Sequence, residues 1–221
     1  MTWSAAGRLR KSWVRVGANI VAAIPLLVLI GTYATGQFLF DPIKAVTVRT
    51  GRLAIAFLLL SLACTPAALL TGFGRVLQAR RTWGLWSLGY ALLHFLTFAG
   101  WDYRFDLRLL WGGIAYQPFV LVGAGALLLL AILGVTSWPG LRRKMGRSWC
   151  WVQRLVYLGA VVDVWHALWV KKSFWEAWWY PAILGVLLMV RVPPVAGAIT
   201  RLRLSVRKRL TRTVLDAPDP E

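Results

Sequence analysis

GLWSLGYALLHFLTFAGW, residues 84–101, and VYLGAVVDVWHALWV, residues 156–170, hold both histidines of this chain, His94 and His166. Each stretch is nearly free of charge and long enough to read as part of a membrane-embedded helix. A titratable ring inside such a helix is costly, so it faces a partner, a cofactor or a pathway. Two of them at matched depth point to something shared between them.

The rest of the chain agrees with a membrane reading. Of its 221 residues 58% are hydrophobic, mean hydropathy is +0.61, and there are 14 tryptophans. Apolar runs recur along it, which predicts an all-α, polytopic six-helix bundle forming one domain over residues 1–221. The spans fall at about 14–36, 52–73, 82–101, 116–138, 149–170 and 176–198, followed by a basic tail at 199–221. A net charge of +18 would suggest nucleic acid in a soluble protein. Here it reads as orientation, so nucleic acid is not an expected partner. Arg8, Arg10, Lys11 and Arg15, then Arg75, Arg80 and Arg81, then Arg142, Arg143, Lys144 and Arg147, then Arg154 and the tail fall on one side. Lys44, Arg49, Arg52, Arg104, Arg108, Lys171 and Lys172 form the smaller opposite set. That asymmetry predicts cytoplasmic N and C termini. The apolar run from Val16 reads as an uncleaved first helix rather than a removed signal.

Short connections leave no separate soluble domain. DYRFDLRLLWGGIAYQP, residues 102–118, pairs Asp102 and Asp106 with Arg104 and Arg108 and reads as a segment on the membrane surface. The tail reads as a surface helix against anionic lipid headgroups, or as a docking face for a cytosolic partner. No internal repeat, Walker A loop, HExxH motif or paired carboxylates are evident, so soluble-type hydrolytic or nucleotide chemistry has no residues to carry it. Cys64 and Cys150 stand outside any CxxC or CxxCH, which leaves no zinc framework and no covalent haem attachment. Most tryptophans sit at predicted interfaces as an aromatic belt.

At about 1.5 Å per residue, His94 and His166 lie roughly 6–9 Å below the outer boundary on spans running the same way. Histidines on facing helices are a means of holding b-type haem by two axial nitrogens. Gly159, two turns before His166, leaves room on that face, and Tyr90 and Ala91 precede His94 by a turn. Two hydrogen-bonding histidines without a cofactor, or a proton relay in a transporter, are the other readings. Asp163, one turn before His166, is an acceptor for the free ring nitrogen of that histidine and would raise its basicity as a ligand.

The chain resembles the MsrQ (YedZ) family of haem-binding membrane subunits, within the ferric-reductase-like transmembrane domains. The likeness is carried by DPIK at 41–44, TGRLAIAFLLLSLACTP at 50–66, RRTWGLWSLGYALLHFLTF at 80–98 and YQPF at 116–119. LGVTSWPGLRRKMGRSW at 133–149 and LVYLGAVVDVWHALWVKK at 155–172 complete it. The resemblance implies a multi-pass protein of the bacterial inner membrane that passes electrons through haem b to a periplasmic, molybdenum-containing methionine sulfoxide reductase subunit. It would be an electron-transfer component rather than the catalytic subunit. A cytosolic flavin reductase or quinol would be the donor, with flavin mononucleotide as a further cofactor. His94 and His166 match the family's ligand positions for the haem iron. Arg80, Arg81 and Arg154 would contact haem propionates or a flavin phosphate, beside their role as positive-inside anchors. Where the family carries another histidine, this chain has Gln153, a poor iron ligand, so the likeness secures one haem. A stand-alone ferric or quinone reductase of the same fold and a haem-free proton-coupled transporter are the alternatives.

Overall fold

A computed structural model describes residues 5–37, 41–170 and 178–215, and these contain no strand. Helix α1 (Ala5–Ala34) is followed by α2 (Pro42–Thr71). Asp41 caps α2 by accepting the Lys44 N–H at 3.0 Å, with Pro42 in the first turn where its missing N–H costs nothing. Gly72 ends it at φ 73°, donating its N–H to Ala68 O, the left-handed cap that a Cβ would oppose. After a 3₁₀ turn at Gly74–Val76 come α3 (Leu77–Thr97) and a π-turn at Phe98–Asp102. Then follow α4 (Leu107–Tyr116), α5 (Pro118–Thr136), α6 (Pro139–Met145), α7 (Ser148–Val170), α8 (Trp179–Met189) and α9 (Pro193–Leu215).

Three of these helices are long and apolar enough to cross a membrane: α1 from Trp13, α2 and α5. A fourth is added if α8 and the first part of α9 count as one broken span. The histidine-bearing helices α3 and α7 have 21 and 23 residues, about 31–35 Å at 1.5 Å per residue, but they are less apolar than these. Ser87, Gln153 and both histidines are among the polar residues that turn toward neighbouring helices. Leu27, Leu128, Val135 and Leu158 are more than half exposed, a surface suited to lipid.

The segment expected to run unbroken over 176–198 differs. α8 has only 11 residues and meets α9 at a 74° bend. Pro193 and Pro194 cannot continue the hydrogen-bond ladder of α8. Arg191, at the bend, turns inward and donates to Tyr157 Oη at 2.8 Å and to the carbonyl of Leu62. The 102–118 connection contains α4, capped by Asp106 Oδ1 accepting the Arg108 and Leu109 N–H groups, and it presents Leu107 and Trp111 outward. Lys171, Lys172, Trp175 and the closing DAPDPE lie outside the described residues, as do the side chains of Asp102 and of residues 5–12 and 207–215.

Two helical hairpins, α2 with α3 and α5 with α7, pack together to form the centre. Ile55, Leu58, Leu59 and Leu62 of α2 meet Leu130 of α5, Ala160 and Val164 of α7, and Tyr180 and Leu184 of α8. Small polar side chains join the helices: Ser87 Oγ donates to Ala54 O and Ser61 Oγ to Arg80 O, both at 2.8 Å. Tyr90 stacks on Phe57 with ring centroids 5.4 Å apart and donates to Ala22 O at 2.7 Å. It therefore ties α3 to α1 and α2 instead of lining space beside His94. Tyr90→Phe removes one buried hydrogen bond, worth about 1 kcal/mol. The expected result is a Tm lower by about 2–4 °C for a chain of this size, read by thermal unfolding in detergent.

Candidate functional site

His94, in the last turn of α3, and His166, in the last turns of α7, come together with ring centroids 6.3 Å apart and ring planes at 72°. Each ring is held the same way. His94 Nδ1 lies 2.8 Å from Thr47 O on α2, and His166 Nδ1 lies 2.8 Å from Phe119 O on α5. A carbonyl only accepts, so Nδ1 carries the proton and Nε2 is left with its lone pair as the donor atom. Both rings press on glycines. A Cβ at Gly51 would stand 3.0 Å from His94 Nδ1, and one at Gly123 would stand 2.7 Å from His166 Cε1. Thr47 Oγ1 also reaches Thr97 Oγ1 at 3.1 Å, fastening α2 to α3 beside His94.

These residues fit a shared metal-centred group. Metal–imidazole bonds are about 2.0–2.1 Å. With Nε2 roughly 1.1 Å from the ring centroid, an ion bridging two such nitrogens in line would place the centroids at most about 6.3 Å apart, and the observed 6.3 Å matches that limit. Among the described residues no cluster of three or more His, Cys, Asp or Glu exists. Two imidazoles alone do not fill a coordination sphere, so a metal held between them would need its remaining ligands from a bound group such as a macrocycle.

Other expected contributors are placed differently. Phe119 O, not Asp163, takes His166 Nδ1, while Asp163 Oδ2 is buried with no hydrogen-bond partner among the described residues. Gly159 shares the face of His166, but that face meets α5: a Cβ there would lie 3.6 Å from Leu129 Cβ. Its missing side chain serves helix packing. The expectation of no internal repeat also needs correction, because the two histidine–carbonyl contacts share one spacing of 47 residues. That equality of spacing was the signal that could have identified Thr47, Gly51, Phe119 and Gly123 from sequence.

Arg80, Arg81 and Arg154 do converge. With Gln153, Arg142, Arg143, Trp149 and Tyr157 they line a cavity of about 700 Å³ between the N-terminal halves of α3 and α7. This size is within the roughly 300–1,000 Å³ of cofactor and small-molecule sites. Arg81 and Gln153 each precede a site histidine by 13 residues, about 20 Å along the helix. Since both ends of α3 and α7 match in this way, the two helices run in the same direction. Among the described residues the lining contains no carboxylate. Gln153 Nε2 donates to Thr136 Oγ1 at 3.0 Å and to Leu133 O at 3.3 Å, which fixes this amide to α5. Cys64 is buried, and Cys150 is exposed at the cavity wall; both are free thiols.

The family described as "Ferric reductase like transmembrane component" matches residues 50–164, a stretch that includes His94 and stops two residues before His166. A Rhodospirillum rubrum protein named "Protein-methionine-sulfoxide reductase heme-binding subunit MsrQ" is 39% identical over 182 residues, covering 81% of this chain and 88% of that protein. A Deinococcus radiodurans protein of the same name is 37% identical over 204 residues, covering 91% and 94%. One from Ralstonia nicotianae is 36% identical over 183 residues, covering 81% and 84%. Helices, paired histidines and sequence likeness over most of the length converge on one assignment: the chain belongs to the MsrQ family, within the ferric reductase-like transmembrane components.

Proposed function

We propose that this chain is a haem-binding membrane subunit that relays electrons to a protein-methionine-sulfoxide reductase. The observation that carries this reading is the pair of imidazoles at 6.3 Å, each with Nδ1 tied to a helix carbonyl. In this reading His94 and His166 are the axial ligands of one b-type haem, because the chain has no CxxCH for covalent attachment. When bound, the group supplies one-electron chemistry. The protein's part is to orient both rings, raise their basicity through the Nδ1–H···O=C bonds and keep water out. With both imidazoles holding the group, no position would be left on it for substrate, so sulfoxide reduction would belong to a partner, a molybdenum-containing subunit on the periplasmic side.

The inner cavity is assigned to the entering electron. Gln153 and Arg81 stand where imidazoles would be needed, so the cavity holds no second bis-histidine haem. Its arginines suit an anionic group such as the phosphate of a flavin mononucleotide. A cytosolic flavin reductase or quinol is the donor. Six crossings of the bacterial inner membrane, the sixth made by α8 together with the bent first part of α9, with both termini cytoplasmic and the basic end of α9 on the surface, complete the proposal. It is supported by the charge asymmetry and by the spanning lengths of α3 and α7. Arg81→Ala with Arg154→Ala is expected to weaken reduced flavin mononucleotide binding about tenfold or more, a loss of at least about 1.4 kcal/mol. The outer haem spectrum stays unchanged. Fluorescence titration and absorption read the two effects.

A turnover experiment tests the relay role. Dithionite-reduced protein, freed of excess reductant, is expected to reoxidise with methionine sulfoxide only when the catalytic subunit is present. Rapid turnover of ferric chelate or quinone by the chain alone would instead assign it a stand-alone reductase activity.

A further inference from the structure

The two histidines are held by one device used twice. Its parts are a helix carbonyl, a glycine four residues later and a histidine 47 residues after the carbonyl: Thr47, Gly51 and His94, then Phe119, Gly123 and His166. Adding 72 to each number of the first set gives the second, and the same offset carries Arg81 onto Gln153 in the inner cavity. The spacing of four has a physical reason. In an α-helix the carbonyl of residue i accepts the N–H of i+4, and the side chain at i+4 lies on the same face. A side chain there would cover the second lone pair of that carbonyl. Glycine leaves it open to a donor from another helix.

Resting on the haem reading above, we infer that Gly51 and Gly123 are positioning residues for the iron ligands. Each admits an imidazole to a helix carbonyl and thereby sets its tautomer, ring plane and basicity. The 72° between the rings is then a property of the two hairpins. A Cβ at Gly123 meets His166 Cε1 at 2.7 Å and Nδ1 at 2.9 Å, whereas one at Gly51 meets His94 Nδ1 at 3.0 Å. The first is the harsher contact.

Gly123→Ala and Gly51→Ala are the tests, made in the full chain purified in detergent with its haem. Alanine is the better helix former, so any loss comes from the contact with the ring. A ring pushed off its carbonyl loses the hydrogen bond that makes it electron-rich, and the oxidised iron is stabilised less. For Gly123→Ala the expected result is a rise in midpoint potential, with the reduced-to-oxidised ratio at fixed potential up roughly tenfold, equal to about 59 mV for one electron. Its low-spin electron paramagnetic resonance signal shifts as well, since that signal depends on the angle between the imidazole planes. Gly51→Ala moves both readouts in the same direction by less, and it carries the test should Gly123→Ala fail to accumulate. Gly159→Ala, whose Cβ makes an ordinary 3.6 Å contact on the same helix seam, keeps the wild-type potential and signal. Wild-type potential and signal in both Gly51→Ala and Gly123→Ala would overturn this inference alone. A folded wild type without haem would overturn the haem reading, and this inference with it.

Discussion

His166→Gly is expected to purify folded with its haem bands lost, and added imidazole is expected to restore them. The same holds for His94→Gly. The expectation rests on the division of labour within each ring. Nδ1 is engaged by a carbonyl of the neighbouring helix, Thr47 O or Phe119 O, so ring orientation does not depend on the bound group. Removing the ring deletes a ligand and one interhelical hydrogen bond, leaves the remaining contacts of the hairpin in place, and opens a space beside Gly51 or Gly123. Outer-shell partners alone are worth about 10–100-fold in metal affinity, so deletion of a ligand is expected to cost at least about 100-fold. Free imidazole fits the space left and finds the same carbonyl. Asp163→Asn leaves the bands where they are, because the ring's hydrogen bond goes elsewhere. Retention of a six-coordinate spectrum by either glycine variant would remove that histidine from the site.

Arg191→Met is expected to lower the Tm by about 5–10 °C. Arg191 joins three parts of the molecule: it sits at the bend between α8 and α9, donates to Tyr157 on α7, and donates to Leu62 O on α2. Hydrogen bonds from a charged group contribute about 1.5–3 kcal/mol each. Removing the guanidinium also removes the cost of burying it, which leaves a net loss of about 2–3 kcal/mol. At about 2–4 °C per kcal/mol for a chain of this size, the shift is large enough for a thermal scan in detergent. Arg191→Lys is expected to recover little, since a single ammonium cannot reproduce a fork aimed at two acceptors. An unchanged Tm in Arg191→Met would show that the bend is held by Pro193 and Pro194 without help from the arginine.

Much of the site was legible because histidine is rare in this chain and apolar helices have a simple period. His94 and His166 were placed at equal depth by counting residues, and their rings meet. Rotation about each helix axis was less legible. Asp163 and Gly159 lie three and seven residues before His166, turned by about 60° and 20° from it. The first makes no bond to the ring, whose Nδ1 goes to Phe119 O, and the second shares its face but meets α5 there. Tyr90 was a turn from His94 on paper, yet its long side chain reaches α1. The partners of both histidines are a carbonyl and a missing side chain, which composition cannot flag, and only the repeated spacing betrays them. The break in the segment at 176–198 was visible as Val-Pro-Pro at 192–194 but was outweighed there by the apolar run on its N-terminal side. α3 and α7 fall short of a spanning composition in part because they carry the histidines and the Arg80, Arg81, Gln153 and Arg154 of the cavity.

The central claim is that His94 and His166 hold one haem between them. The measurement that addresses it most directly is the dithionite-minus-oxidised absorption spectrum of the detergent-purified chain, with haem and protein quantified in the same sample. Sharp α and Soret bands at one haem per chain, absent from the His94→Gly and His166→Gly proteins, are the predicted result. A folded, colourless wild type, or bands that survive the loss of both histidines, would contradict it.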